Sequence, residues 1–186
     1  MDPATVASRL CSACGLCCNG VMFHTVRLQA KDSAKDLAAL GLKLKRKKGA
    51  NYILQPCPAF RGTHCSVYAA RPERCRLFEC RQLRRVDAGE ITEAAALERI
   101  QEVQRRVAEI TGLLEKAGRT DPKKPLMKRY EKITAEPLDA TSDAEAIEVR
   151  GDLTRAMGEL DALLDAEFRV PNSTPGLAPV PSGLPE

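Results

Sequence analysis

Cys11-Ser12-Ala13-Cys14-Gly15-Leu16-Cys17-Cys18 sets three cysteines at intervals of three and adds a fourth directly after the last. With Gly15 permitting a tight turn, the sulfurs of Cys11, Cys14 and Cys17 can point at one centre. The adjacent pair complicates this: neighbouring side chains on extended backbone face opposite ways. Cys18 therefore either serves a second centre or is not a ligand.

Working outward, the remaining cysteines are Cys57, Cys65, Cys75 and Cys80, and the 106 residues after Cys80 contain none. Cysteine is used for one local purpose, either a disulfide framework or thiolates holding a metal. The opening Met1 to Leu10 lacks the basic start and apolar run of a signal peptide, and no stretch approaches the ~18 apolar residues of a membrane span. These features predict a cytoplasmic protein with no membrane association. Cellular reductants keep ordinary thiols reduced there, which favours metal over cross-links.

Two prolines flank Cys57 and hold its side chain in a fixed direction. Arg71-Pro72 reads as a helix start, with Pro72 at the first helical position. On one continuous helix, Cys75 and Cys80 would sit ~140° apart, so they converge only if the helix ends between them. The simplest arrangement is two neighbouring centres, or one multinuclear centre, fed from both halves of the segment. His64 abuts Cys65 but reads as a surface or capping residue, and His24 reads as structural.

Hydrophobic residues make up 44% and charged residues 29% of 186 residues, which is ordinary for a soluble chain with one domain and an appendage. Lys and Arg outnumber Asp and Glu by 16 to 7 over residues 1–90, whereas over 91–186 they are outnumbered by 13 to 18. A basic half suggests an anionic partner. However, a four-thiolate site around a divalent ion carries −2, so two such sites would reduce the excess of +9 to about +5. Arg71, Arg74 and Arg76, around Cys75, suit an outer-shell role as donors to thiolates or carbonyls. The run Lys43, Lys45, Arg46, Lys47 and Lys48 reads as a mobile, solvated loop.

Val21–Leu28 and Tyr52–Leu54 read as strands and Lys31–Leu40 as a short helix stopped by Gly41. Beyond Asp87 the pattern changes. Ile100, Val103, Val107, Ile110 and Leu114 form one apolar stripe; Val149, Leu153, Ala156, Leu160 and Leu163 form another. The predicted fold is α+β: a small irregular cysteine-rich metal-binding domain over 1–88, then an antiparallel α-helical hairpin over 89–170. A Pro-rich disordered tail over 171–186 completes it. The hairpin is the surface through which a protein partner would bind.

Four ordered blocks carry a resemblance to a known family. They are Cys11 to Cys18, Gln55-Pro56-Cys57-Pro58, Cys65-Ser66-Val67-Tyr68, and Arg71-Pro72-Glu73-Arg74-Cys75-Arg76-Leu77-Phe78-Glu79-Cys80. Together they resemble the YkgJ-type cysteine-cluster family, described as a zinc- or iron-chelating domain with a CxxCxxCC signature. The resemblance covers residues 11–80 and implies metal binding through Cys11, Cys14, Cys17, Cys18, Cys57, Cys65, Cys75 and Cys80. It implies no settled reaction, and family members are often labelled iron–sulfur oxidoreductases.

The leading functional expectation is a cytosolic protein coordinating zinc or iron, including an iron–sulfur cluster, through eight cysteines. The residues around Phe23, Tyr52, Phe60, Tyr68 and Phe78 build a small core, so metal would supply folding free energy. An iron–sulfur electron-transfer oxidoreductase is the alternative, although no dinucleotide fingerprint, phosphate loop or nucleophile elbow is present. Nucleic-acid binding through Lys43–Lys48 is a third and weaker reading, because no aromatic platform accompanies the basic run.

Overall fold

The computed structural model describes residues 5–62, 64–137 and 144–170; the predicted tail over 171–186 lies outside them. Helix α1 (Val6–Cys14) opens the chain, with the Thr5 hydroxyl accepting from the Ser8 amide at 3.2 Å. Strand β1 (Thr25–Arg27), helix α2 (Ala34–Ala39) and strands β2 (Leu44–Lys47) and β3 (Ala50–Leu54) follow. The three strands form an antiparallel sheet in the order β1-β3-β2. A smaller ribbon pairs β4 (Phe60–Arg61) with β5 (His64–Cys65), placing Phe60 opposite Cys65. Helices α3 (Glu73–Leu77), α4 (Arg81–Asp87), α5 (Glu93–Lys116), α6 (Leu126–Ala135) and α7 (Ala144–Glu167) complete the chain. The class is α+β, as predicted.

Two predictions need correction. Most of the basic run is not a loop: Lys45, Arg46 and Lys47 lie on β2, paired with β3 from Leu44↔Ile53 to Lys47↔Ala50, with Lys43 before the strand and Lys48 in the turn after it. Lys48 (φ 47°) and Gly49 (φ 77°) both adopt left-handed backbone, the requirement of a two-residue type I′ hairpin turn. Lys45, Arg46 and Lys47 then lie on an outer strand, where charge discourages edge-to-edge association. Secondly, the region predicted as a helical hairpin over 89–170 holds more than two long helices. It contains α6, which starts after Pro125 and buries Leu126 and Ile133.

The apolar stripes explain the packing. Ala96, Ile100, Val103, Ile110 and Leu114 of α5 are buried with Leu153, Ala156, Met157, Leu160 and Leu164 of α7. Ion pairs link these helices to their neighbours. Arg119, beyond the end of α5, pairs with Glu136 beyond α6, while Arg85 of α4, before α5, meets Glu167 at the end of α7 (3.0 Å). The same core includes Leu10 and Leu16 from the cysteine-rich segment and Leu83 from α4. It therefore draws residues from both sides of position 88. A second core, Val26, Leu37, Leu42, Ile53 and Ala59, lies under the sheet.

Candidate metal centre

Helix geometry sets the first block. Cys11 and Cys14 are three residues apart on α1 and so share a face. The helix ends at Gly15, whose φ of 67° suits a left-handed C-cap and whose amide donates to the Cys11 carbonyl at 3.3 Å. The amides of Cys18 and Asn19 both donate to the Gly15 carbonyl at 2.9 Å, so Cys17 and Cys18 lie in a tight turn, not an extended strand. The opposed-faces argument for the adjacent pair therefore does not apply as it stands, and both side chains line the same cavity.

Backbone bonds bring the later cysteines to this turn. The Cys57 amide donates to the Cys18 carbonyl at 2.8 Å, and the Phe60 amide donates to the Cys57 carbonyl at 3.0 Å. Ribbon pairing then carries Cys65 alongside Phe60. Pro72 stands at the N-cap of α3 instead of its first helical position, and Asp32 accepts from the Glu73 amide at 2.8 Å. Helix α3 ends at Leu77, with Phe78 extended, and Cys80 is the N-cap of α4. The break between Cys75 and Cys80 lets both face inward.

All eight cysteines line one cavity of about 1000 Å³, and all eight are free. Only Cys11 is exposed; the others are partly buried. Among the described residues no group of three or more His, Cys, Asp or Glu side chains is already gathered as a metal-ligand cage. The thiols thus surround shared space without converging on a point.

Burial is the main cause of raised thiol pKa values, reinforced by other thiolates. Cys14, Cys18 and Cys75 are each pushed up to about 12, and Cys17 is raised well above its ordinary value. Cys11, Cys57 and Cys80 are also raised by burial. Without a cation these seven groups remain neutral thiols at pH 7, because apolar surroundings penalise the charged form. A bound divalent ion reverses that balance and releases the protons.

Arg71 is the best-placed cation. It lies over the Tyr68 ring at 3.6 Å, donates to the Tyr68 carbonyl at 3.2 Å, and opposes the burial effect at both Cys11 and Cys75. Arg74 also lines the cavity, whereas Arg76 is exposed and does not, which corrects its predicted outer-shell place. None of Lys43, Lys45, Arg46, Lys47 and Lys48 lines the cavity. His64 is exposed on β5 at the cavity wall. His24 lies on the wall near Lys128, and burial first and then Lys128 lower its pKa.

Four supporting residues escape sequence reading. Gln104 of α5 donates to the carbonyls of Ala13 (2.7 Å) and Cys14 (3.1 Å), holding the end of α1. The Phe60 ring covers Gly15 so closely that a Cβ there would lie 2.5 Å from its Cζ. Gln55 and Gln82 are buried in the cavity wall, and the Oε1 of each has no hydrogen-bond partner. No local signal marks these roles, since each depends on a long-range contact.

The donor set suits soft or borderline metals. Thiolates favour zinc and iron centres, whereas magnesium and calcium prefer carboxylate and carbonyl oxygen. A small α+β chain with eight thiols around one cavity is the class that this fold and site define. The model of the CxxCxxCC family, described as "Putative zinc- or iron-chelating domain", matches residues 10–105. That is just over half of the chain, and the protein belongs to this family. No curated protein and no solved structure matches it.

Proposed function

We propose that this protein chelates zinc or iron through Cys11, Cys14, Cys17, Cys18, Cys57, Cys65, Cys75 and Cys80. The observation that carries the proposal is that eight free thiols, drawn from four separate sequence blocks, line one cavity. When bound, the metal supplies positive charge that holds the ligands as thiolates and links the blocks covalently. The chain's own contributions are distinct. Gly15 and Phe60 set the first turn, Gln104 fixes the end of α1, and Arg71 offsets ligand charge without entering the coordination sphere. Among the described residues no helix is long and apolar enough to cross a membrane. A reducing, cytoplasmic setting accords with the free thiols.

Iron–sulfur electron transfer is the second reading, favoured by the exposure of Cys11, which brings one edge of the thiol set to solvent. Anaerobic purification followed by elemental analysis and visible spectroscopy tests both. Stoichiometric zinc in colourless protein supports chelation in its zinc form, and brown protein bleached by dithionite supports the iron–sulfur form. Reduced protein that neither contains nor takes up either metal would overturn the proposal.

A further inference from the structure

We infer that the eight cysteines form two separate four-thiolate centres, Cys11, Cys14, Cys17 and Cys80 in one, and Cys18, Cys57, Cys65 and Cys75 in the other. This inference rests on the chelation reading above and deepens it by assigning the ligands.

The first observation is the division of the cores. Cys14 and Cys80 pack against the helical core built on α5 and α7, whereas Cys57, Cys65 and Cys75 pack against the core under the sheet. The cavity lies between the two, so each group reaches it from its own wall. Backbone connections agree. Cys11 and Cys14 share a face of α1, which packs on α4, whose N-cap is Cys80, and also on β5, which carries Cys65. On the other side the Cys57 amide is bonded to the Cys18 carbonyl, the turn from Cys57 leads into Phe60, and Phe60 is paired with Cys65.

This division accounts for the adjacent cysteines. Cys17, which follows α1, is assigned to the α1 group, and Cys18, whose carbonyl accepts from the Cys57 amide, to the second. Four thiolates are the full complement of a tetrahedral zinc site or of a cubane cluster, so neither centre needs His64. Arg71, which acts on Cys11 of one set and Cys75 of the other, is placed to moderate both negative centres.

Cobalt(II) titration of the reduced full chain under anaerobic conditions distinguishes the arrangements, because thiolate-to-cobalt absorption reports stoichiometry directly. Wild type should bind two ions. Cys14→Ser/Cys17→Ser should bind one, and so should the reciprocal Cys65→Ser/Cys75→Ser, which guards against one variant failing to fold. Cys14→Ser/Cys57→Ser, which damages both sets, should bind none tightly. Equal loss in the same-set and cross-set pairs would refute the partition and indicate one multinuclear centre. A wild type that takes up no cobalt, zinc or iron would instead sink the chelation reading beneath it.

Discussion

Replacing Gly15 by alanine tests whether the turn between the second and third cysteines is built as described. Gly15 has φ 67°, and an added Cβ would lie 2.5 Å from Phe60 Cζ and 2.9 Å from its Cε2. Left-handed backbone costs an L-residue about 1–2 kcal/mol. Forcing the ring aside adds about 1–3 kcal/mol, the usual range for overpacking. The sum is about 2–5 kcal/mol. Gly89→Ala is the control, since Gly89 has nearly the same φ (71°) but nothing within 4 Å of its would-be Cβ. It should cost only the backbone share, about 1–2 kcal/mol. Urea denaturation of metal-loaded protein, followed by circular dichroism, measures both. Metal content measured alongside should fall for Gly15→Ala alone, because Phe60 is bonded to the Cys57 carbonyl and paired with Cys65. Phe60→Leu in the Gly15→Ala background should recover part of the loss, giving a coupling of about 1–3 kcal/mol. If Gly15→Ala matches Gly89→Ala within about 0.5 kcal/mol and keeps its metal, Phe60 does not brace the turn and the reasoning fails.

Other outcomes follow from the same geometry. For reduced, metal-free protein, folded-state thiol pKa values near 12 against an ordinary 9.0 mean that the folded form keeps protons which the unfolded chain releases. That stabilisation should be fully present below about pH 9 and be lost as pH rises toward 12, whereas a flat denaturation midpoint across this window would contradict the burial of Cys14, Cys18 and Cys75. Metal uptake should run the opposite way. If four neutral thiols lose protons on binding, apparent affinity should fall by up to about 10⁴ per centre for each pH unit of acidification, and a slope near zero in a competition titration would show ligands already ionised. Arg71→Ala should lower metal content or melting temperature, whereas Arg76→Ala and joint serine replacement of Lys45, Arg46, Lys47 and Lys48 should leave metal content unchanged; the reverse ranking would displace Arg71 from its supporting role. Stripping the metal with a chelator should erase most near-ultraviolet dichroism while preserving most helical signal, because most of the α5–α7 core comes from helices that carry no cysteine; collapse of the helical signal would show that this core depends on the metal.

The CxxCxxCC run, the Cys-Pro block and the arginine-flanked Cys75 could be read directly because metal coordination demands particular side chains at short spacings. The apolar stripes of α5 and α7 were legible for a similar reason: burial of one helix face leaves a repeat of 3 and 4 in the chain. The short strands were harder to bound. Val21–Leu28 contracts to Thr25–Arg27, since ladder pairing with β3, not composition, sets where a strand stops. The lysine run looked like a loop because its charges favour water, but pairing with β3 satisfies its backbone and leaves most of those charges exposed.

The cysteine inventory and the helical periodicity could be read from the chain alone, because both are properties of residues close together along it. Tertiary structure adds that Cys14 and Cys80 pack against the helical core and Cys57, Cys65 and Cys75 against the core under the sheet, that Gln104 holds the end of α1, that Phe60 covers Gly15, and that Arg71, not Arg76, borders the thiols. These relationships join segments far apart in the chain. The physical reason is that burial against one core or the other orients a side chain through packing, and packing leaves no spacing rule to read in advance.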